Sequence, residues 1–295
     1  MASGMTPILE SPVLLERVTR VAPLGVRFWD VALNCPPREP LAVTTYPARN
    51  PRQRTPAFAN PSGVYVAQNL PALREAENGR GDPDYWAGVA RQPFVIEVVD
   101  PLRRFLPFTF DADLPHRRLF AWLCGPAGPP LEPGRAVPLY SRPSRALPGD
   151  LAIVRAELFD PQAGAPAAWA VLEVSLDGGL LGRGIADANG RVALAFDYPD
   201  LIDFVPDSPL DSGIPLSRQQ WTVQLTVRYA PAAAAPAIPD LCATLEQAPA
   251  RLWQRWNPPA GNSPLAAVAL KFGQPLILRS QDAGGAPLSV LFITP

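Results

Sequence analysis

Lysine and histidine are nearly missing from this chain, which has one of each, Lys271 and His116, in 295 residues. An imidazole-based zinc site needs several histidines, and nucleophilic catalysis needs an activated Ser or Cys beside a base. His116 lies in Asp113-Leu-Pro-His-Arg-Arg118, beside two arginines, where a surface role is expected. The three cysteines, Cys35, Cys124 and Cys242, are far apart and form no Cys-x-x-Cys pair. That pattern predicts buried free thiols in a reducing cytoplasm. No Gly-x-Ser-x-Gly elbow and no phosphate loop ending in Lys-Ser/Thr is present. No run approaches the ~20 apolar residues of a membrane span. The first 17 residues lack the basic start and apolar run of a secretory leader. With 26 basic against 27 acidic residues, charge gives no case for nucleic acid or anionic membrane. The expectation is a non-enzyme without cofactor, metal, nucleic-acid or small-molecule ligand, not inserted in a membrane and made in the cytoplasm.

Proline is abundant instead, at 39 residues, well above the usual ~5%. Proline removes a backbone donor and breaks helix interiors, so short strands joined by Pro-bearing loops are expected. The runs Leu24–Leu33, Leu41–Tyr46, Val64–Ala67 and Phe94–Val99 are rich in β-branched and aromatic residues and bounded by Pro, Gly or Asn. This is the pattern of a β-sandwich. Leu70–Glu77 is the one plausible helical turn in that region. Residues 125–149, dense in Pro and Gly, read as a linker or long surface connection, with a domain boundary near residue 145. Ala230–Ala237 reads as a second connector.

Between these connectors the alternation is strict. Trp221–Tyr229 places a large apolar residue at every odd position and a polar one at every even position, as a strand with one buried face requires. Asp187-Ala-Asn189-Gly190 could open a calcium loop, but the later ligands of such a loop are missing. Asn-Gly is a strong hairpin signal, because a type I′ turn needs positive φ at both central residues. A hairpin leading into the alternating run Val192–Tyr198 is therefore expected. The recurring Asp197, Asp200, Asp203, Asp207 and Asp211 read as a solvated acidic loop, with calcium as the alternative.

The run from Ala152 to Tyr198 resembles a carboxypeptidase regulatory-like domain, a small transthyretin-like β-sandwich. Its parts are a first strand Ala152–Leu158, a second strand Val171–Leu176, and the turn Ala186-Asp187-Ala188-Asn189-Gly190-Arg191 leading into Val192–Phe196. The resemblance implies an accessory fold and carries over no peptidase zinc site. The whole layout, ending in Leu291-Phe-Ile-Thr-Pro295, is also similar to uncharacterised proteins encoded with phage-tail-like contractile injection particles. That similarity implies a structural part in or near a baseplate, assembled into a particle that can be released.

The tail starts with a plausible N-cap, Asp240. Leu241, Leu245, Leu252 and Trp256 stand near helical spacing, interrupted by Pro249. Two late strands, Ala266–Phe272 and Leu288–Ile293, follow. The expected architecture is all-β: a sandwich over residues 1–145, a transthyretin-like or Ig-like sandwich over 146–232, and a small mixed docking segment over 233–295. Two sets of residues are candidate contacts for other protein subunits. Arg49, Arg52 and Arg54 form a basic loop followed by Phe58 and Tyr65. Trp253, Arg255 and Trp256 are residue types favoured as interface anchors. The function expected is a structural or adaptor subunit; a carbohydrate- or surface-binding module is the alternative.

Overall fold

The computed structural model describes residues 21–77, 89–116, 118–124, 136–201, 215–231, 235–258 and 261–295. The first body contains β1 (Leu24–Val26), β2 (Phe28–Asp30), β3 (Ala42–Pro47), β4 (Thr55–Ala59), β5 (Tyr65–Ala67), the helical turn α1 (Arg74–Glu77), β6 (Gln92–Val99), β7 (Phe108–Leu114) and β8 (Val137–Leu139). Six of these strands form an antiparallel sheet in the order β1-β5-β4-β3-β6-β7, and β2 pairs in parallel with β8. Alternation sets the faces. Phe94, Ile96 and Val98 of β6, with Phe108, Phe110 and Leu114 of β7, are buried on one side. Thr109, Asp111 and Asp113 point to the other. Aromatic rings fill the core: Phe28 meets Tyr65 edge-on at 5.1 Å and Phe110 meets Trp122 at 5.8 Å, distances at which edge-to-face pairs are favourable.

The second body is built from β9 (Ala152–Asp160), β10 (Ala165–Pro166), β11 (Val171–Leu176), β12 (Gly179–Ile185), β13 (Arg191–Phe196), β14 (Gln220–Arg228), α2 (Leu241–Leu245), β15 (Pro249–Arg255), β16 (Ser263–Pro264), β17 (Ala267–Lys271), β18 (Leu276–Leu278) and β19 (Leu291–Thr294). One layer runs β12-β11-β14-β17 and the other β13-β9-β18. β15 pairs with β14 and with β19, and β19 with β9, so hydrogen bonding continues from one layer to the other. The molecule is all-β, with sandwich- and barrel-like sheets. Trp221, Val223, Leu225 and Val227 of β14 are buried while Gln220, Thr222, Gln224 and Thr226 are exposed, as the sequence predicts.

Four expectations change. First, β8 lies inside the supposed connector of 125–149, and all three of its residues are buried. Flanking prolines and glycines hid it. Second, Cys124 and Cys242 are joined by a disulfide across 118 residues, leaving Cys35 as the free cysteine. The wide spacing that argued for free thiols says nothing of distance in space.

Third, the turn at Asp187–Gly190 does not close a hairpin. β12 pairs with β11 and β13 with β9, so the turn carries the chain from one layer to the other. Gly190 takes φ of 75°, whereas Asn189 is not among the positive-φ residues, so a type I′ turn is not formed. The Asp187 carboxylate accepts from the amides of Asn189 (2.8 Å) and Arg191 (3.0 Å), which holds the turn. Fourth, the tail supplies five strands rather than two. Asp240 caps α2 as expected, accepting from the Ala243 amide at 2.7 Å. The helix then ends at Leu245, and Leu252 to Arg255 belong to β15. Asp203, Asp207 and Asp211 lie outside the described residues.

Candidate functional site

The basic loop connects β3 to β4 at the tip of the first sheet, with Arg49, Arg52 and Arg54 all exposed. Arg54 is committed to its own sheet: it pairs with Glu97 and stacks over Tyr46, 4.7 Å from the ring centroid. The Glu97 hydrogen bond holds its guanidinium even more firmly protonated than usual. Burial, then the Glu97 charge, pushes the Tyr46 phenol up. Arg49 and Arg52 carry no such partner among the described residues. Phe58 is 68% exposed on β4, while Tyr65 is buried with its hydroxyl accepting from the Leu41 amide at 2.7 Å. Among the described residues the loop thus keeps two unpaired guanidinium groups and one exposed apolar ring.

The second set lies on β15 and just beyond it. Trp253 donates from Nε1 to Thr294 Oγ1 at 3.0 Å, and its ring meets Trp256 at 5.4 Å. Trp253, Arg255 and Trp256 are all half-buried, and the Nε of Arg255 is buried without a partner among the described residues. The tryptophans therefore serve partly as local core and partly as surface. No hydrogen bond, ion pair or ring contact among the described residues joins this set to the basic loop, so they are two surfaces and not one site.

A third feature gave no sequence signal, because it draws on separated segments. At the junction of the two bodies, a cleft of about 410 Å³ is lined by Arg142, Arg155, Arg191, Arg279, Glu157 and Asp187. Arg142 donates to the Phe105 carbonyl (2.8 Å) and Arg155 to the Pro143 carbonyl (2.7 Å), so both tie the connector to the bodies on either side. Arg191 lies 3.6 Å from Glu157. Beside this cleft a buried network fixes the same connector. Arg145 makes a bidentate pair with Asp30 (2.5 and 3.0 Å) and donates to Ser141 Oγ at 2.8 Å. Asp30 also accepts from the Ala32 and Leu33 amides. Asp100 receives both Nε and Nη2 of Arg104 at 3.0 Å. Desolvation, then the nearby Arg145 charge, lowers the Arg104 pKa from its ordinary value. Arg104 and Arg145 both lie against the Phe105 ring, at 5.2 and 4.6 Å.

The polar groups of interest for chemistry are thus mostly bound to the fold. Asp187 holds a turn, Asp30 and Asp100 hold arginines and loop amides, and His116 Nδ1 lies 2.7 Å from the Arg118 carbonyl. No group of three or more His, Cys, Asp or Glu suited to a metal ion occurs among the described residues. No helix of the described residues is long and apolar enough to cross a membrane. No family model, curated protein or solved structure matches this chain.

Proposed function

We propose that this chain is a non-catalytic structural or adaptor subunit of a multi-protein assembly, in its most specific form a baseplate-associated component of a phage-tail-like contractile injection system. The observation that carries the reading is the fixed joint between the two bodies. A shared core, the Cys124–Cys242 disulfide and the buried Asp30–Arg145 pair all cross or brace that joint. A rigid two-body spacer with exposed Arg49, Arg52 and Phe58 at one tip and a half-exposed Trp253–Trp256 pair in the other body suits contacts with neighbouring subunits. The particle assignment rests on the sequence similarity alone. The test is purification of the tagged chain from its native cells, followed by mass spectrometry. Sheath, tube or baseplate proteins in fixed ratio support the reading; purification with no other protein overturns it.

A carbohydrate- or surface-binding module is the second reading. One cleft of about 840 Å³ in the second body favours it, because Asp177, Asp197 and Asp200 line it together with Tyr198. Carboxylates beside an aromatic ring can bind sugar hydroxyls and stack on a sugar face. A glycan-binding screen that finds a ligand lost in Tyr198→Ala would move the balance to this reading.

A further inference from the structure

The edges of the two bodies are treated differently. In the first sheet, β1 is covered: the His116 and Phe120 amides donate to the Pro23 and Gly25 carbonyls at 2.8 and 2.7 Å. The far edge, β7, is bridged at Thr109, whose amide donates to the Pro239 carbonyl at 2.8 Å, and it carries Asp111 and Asp113. In the second body, Ile185 of β12 is buried in the first body's core, and Ala193 and Ala195 of β13 are buried. Among the described residues β17 has no such cover: its one strand neighbour is β14, Ala267, Ala269 and Lys271 are exposed, and Lys271 is its one charge.

The hydrogen-bond parity of this edge follows from its ladder. The Leu225 amide donates to the Ala266 carbonyl (2.9 Å) and the Phe272 amide to the Gln219 carbonyl (3.1 Å). Even-numbered residues therefore bond to β14, and alternation turns the N–H and C=O groups of Ala267, Ala269 and Lys271 to the open side. The surrounding sequence is Leu265-Ala-Ala-Val-Ala-Leu-Lys-Phe272, apolar but for one charge. An open edge of this composition is a template for another strand, since nothing on it repels pairing except the single lysine.

We propose that β17 is a self-pairing edge, through which two copies of this chain join antiparallel about a two-fold axis at Ala269. In that register Ala269 exchanges both main-chain bonds with its own copy. Ala267 does the same with Lys271 of the second copy, on both sides of the axis. The Lys271 carbonyl accepts from Gln274 at 3.3 Å and keeps a second lone pair for the contact. Charge supports this occupant: each Lys271 comes opposite an alanine, so no two like charges face each other. A short turn joins β17 to β18, the adjacent edge of the other layer, where Ile277 is 53% exposed. The same two-fold axis brings this apolar edge toward its copy. The contact is isologous and closes at two chains. It holds whatever larger assembly the chain enters.

The lone lysine makes the test direct. An amine-reactive cross-linker can join only Lys271 and the chain's amino terminus. In the paired state the two Lys271 residues lie roughly 14 Å apart along the strand, four residues at ~3.4 Å each, within reach of common spacers. Mixed ordinary and ¹⁵N-labelled chains identify links between copies. The expected result is a mass about twice 31.7 kDa, falling toward 31.7 kDa on dilution, with a Lys271-to-Lys271 link between copies. Ala269→Pro removes an amide that faces away from β14, so the fold survives while the central bonds are lost. Ala269→Glu sets two like charges opposite each other at the axis. Both variants should be monomeric and lose the link. A monomer at every concentration, a dimer lacking the Lys271 link, or a dimer that persists in both variants would each overturn the proposal.

Discussion

The two bodies of this molecule are completed in opposite ways. The core of the second is drawn entirely from its own residues, between Ala152 and Ile293. The core of the first takes Trp169, Val171, Ile185, Leu241 and Leu245 from the other body. Burial of a large apolar side chain contributes roughly 1.5–3 kcal/mol. Losing five such groups costs an amount comparable with the whole margin of an ordinary small domain, about 5–15 kcal/mol. The self-contained body has an open edge at β17, whereas the dependent body has covered or charged edges. Dependence and exposure are thus divided between the two: one body seats on its neighbour, and the other can offer strand surface outward.

Breaking the joint should cost most. Arg145→Ala leaves the Asp30 carboxylate buried and unpaired, and loss of one partner of a buried pair costs about 3–5 kcal/mol. Urea unfolding should show this as a lowered midpoint, partly restored when Asp30→Asn is added. Removal of the disulfide in the Cys124→Ser, Cys242→Ser double variant should cost about 2–4 kcal/mol. The loss should fall on the first body's transition, because α2 then detaches from it more easily. Gly190→Ala tests the crossing turn of the second body alone. An added Cβ there would lie 2.3 Å from the Leu158 carbonyl oxygen at a φ of 75°. The expected cost is about 1–3 kcal/mol, read by thermal unfolding. Gly184→Ala is a companion where the two layers approach closely and a Cβ would sit 2.9 Å from that of Leu194.

The smallest expected effect is at the β7 edge. Burial, then the Asp240 and Asp113 charges, hold the Asp111 carboxyl above its ordinary pKa. Its ionised form therefore opposes folding at neutral pH, and that opposition is relieved as the pH falls through the raised value. Asp111→Asn should stabilise slightly near neutral pH and lose the advantage in acid. Denaturant curves at two pH values check the sign.

Local pattern predicted the parts that local physics determines. The period-two run Trp221–Tyr229 is β14, and Asp240 caps a helix because its carboxylate reaches the Ala243 amide. What depends on distant partners was not legible. The Asn189-Gly190 pair marks a turn but not whether the flanking strands pair, since that depends on β9 and β11. Leu252 and Trp256 fit a helical spacing, yet strand neighbours on both sides place Leu252 in β15. The junction cleft joins arginines from four separate segments, and the disulfide joins cysteines 118 residues apart. Of the candidate contacts, the exposure of Arg49 and Arg52 followed from the loop sequence. The capture of Arg54 by Glu97 did not, because β6 lies far along the chain.

The division between a self-sufficient body and a dependent one is tested most directly by separating them. Residues 1–145 and 146–295 are expressed apart and then mixed, with circular dichroism and amide NMR spectra recorded before and after. Residues 146–295 alone should give a dispersed spectrum and a cooperative transition. Residues 1–145 alone should show neither and gain structure only when 146–295 is added. A cooperatively folded 1–145, or an unfolded 146–295, would contradict that division.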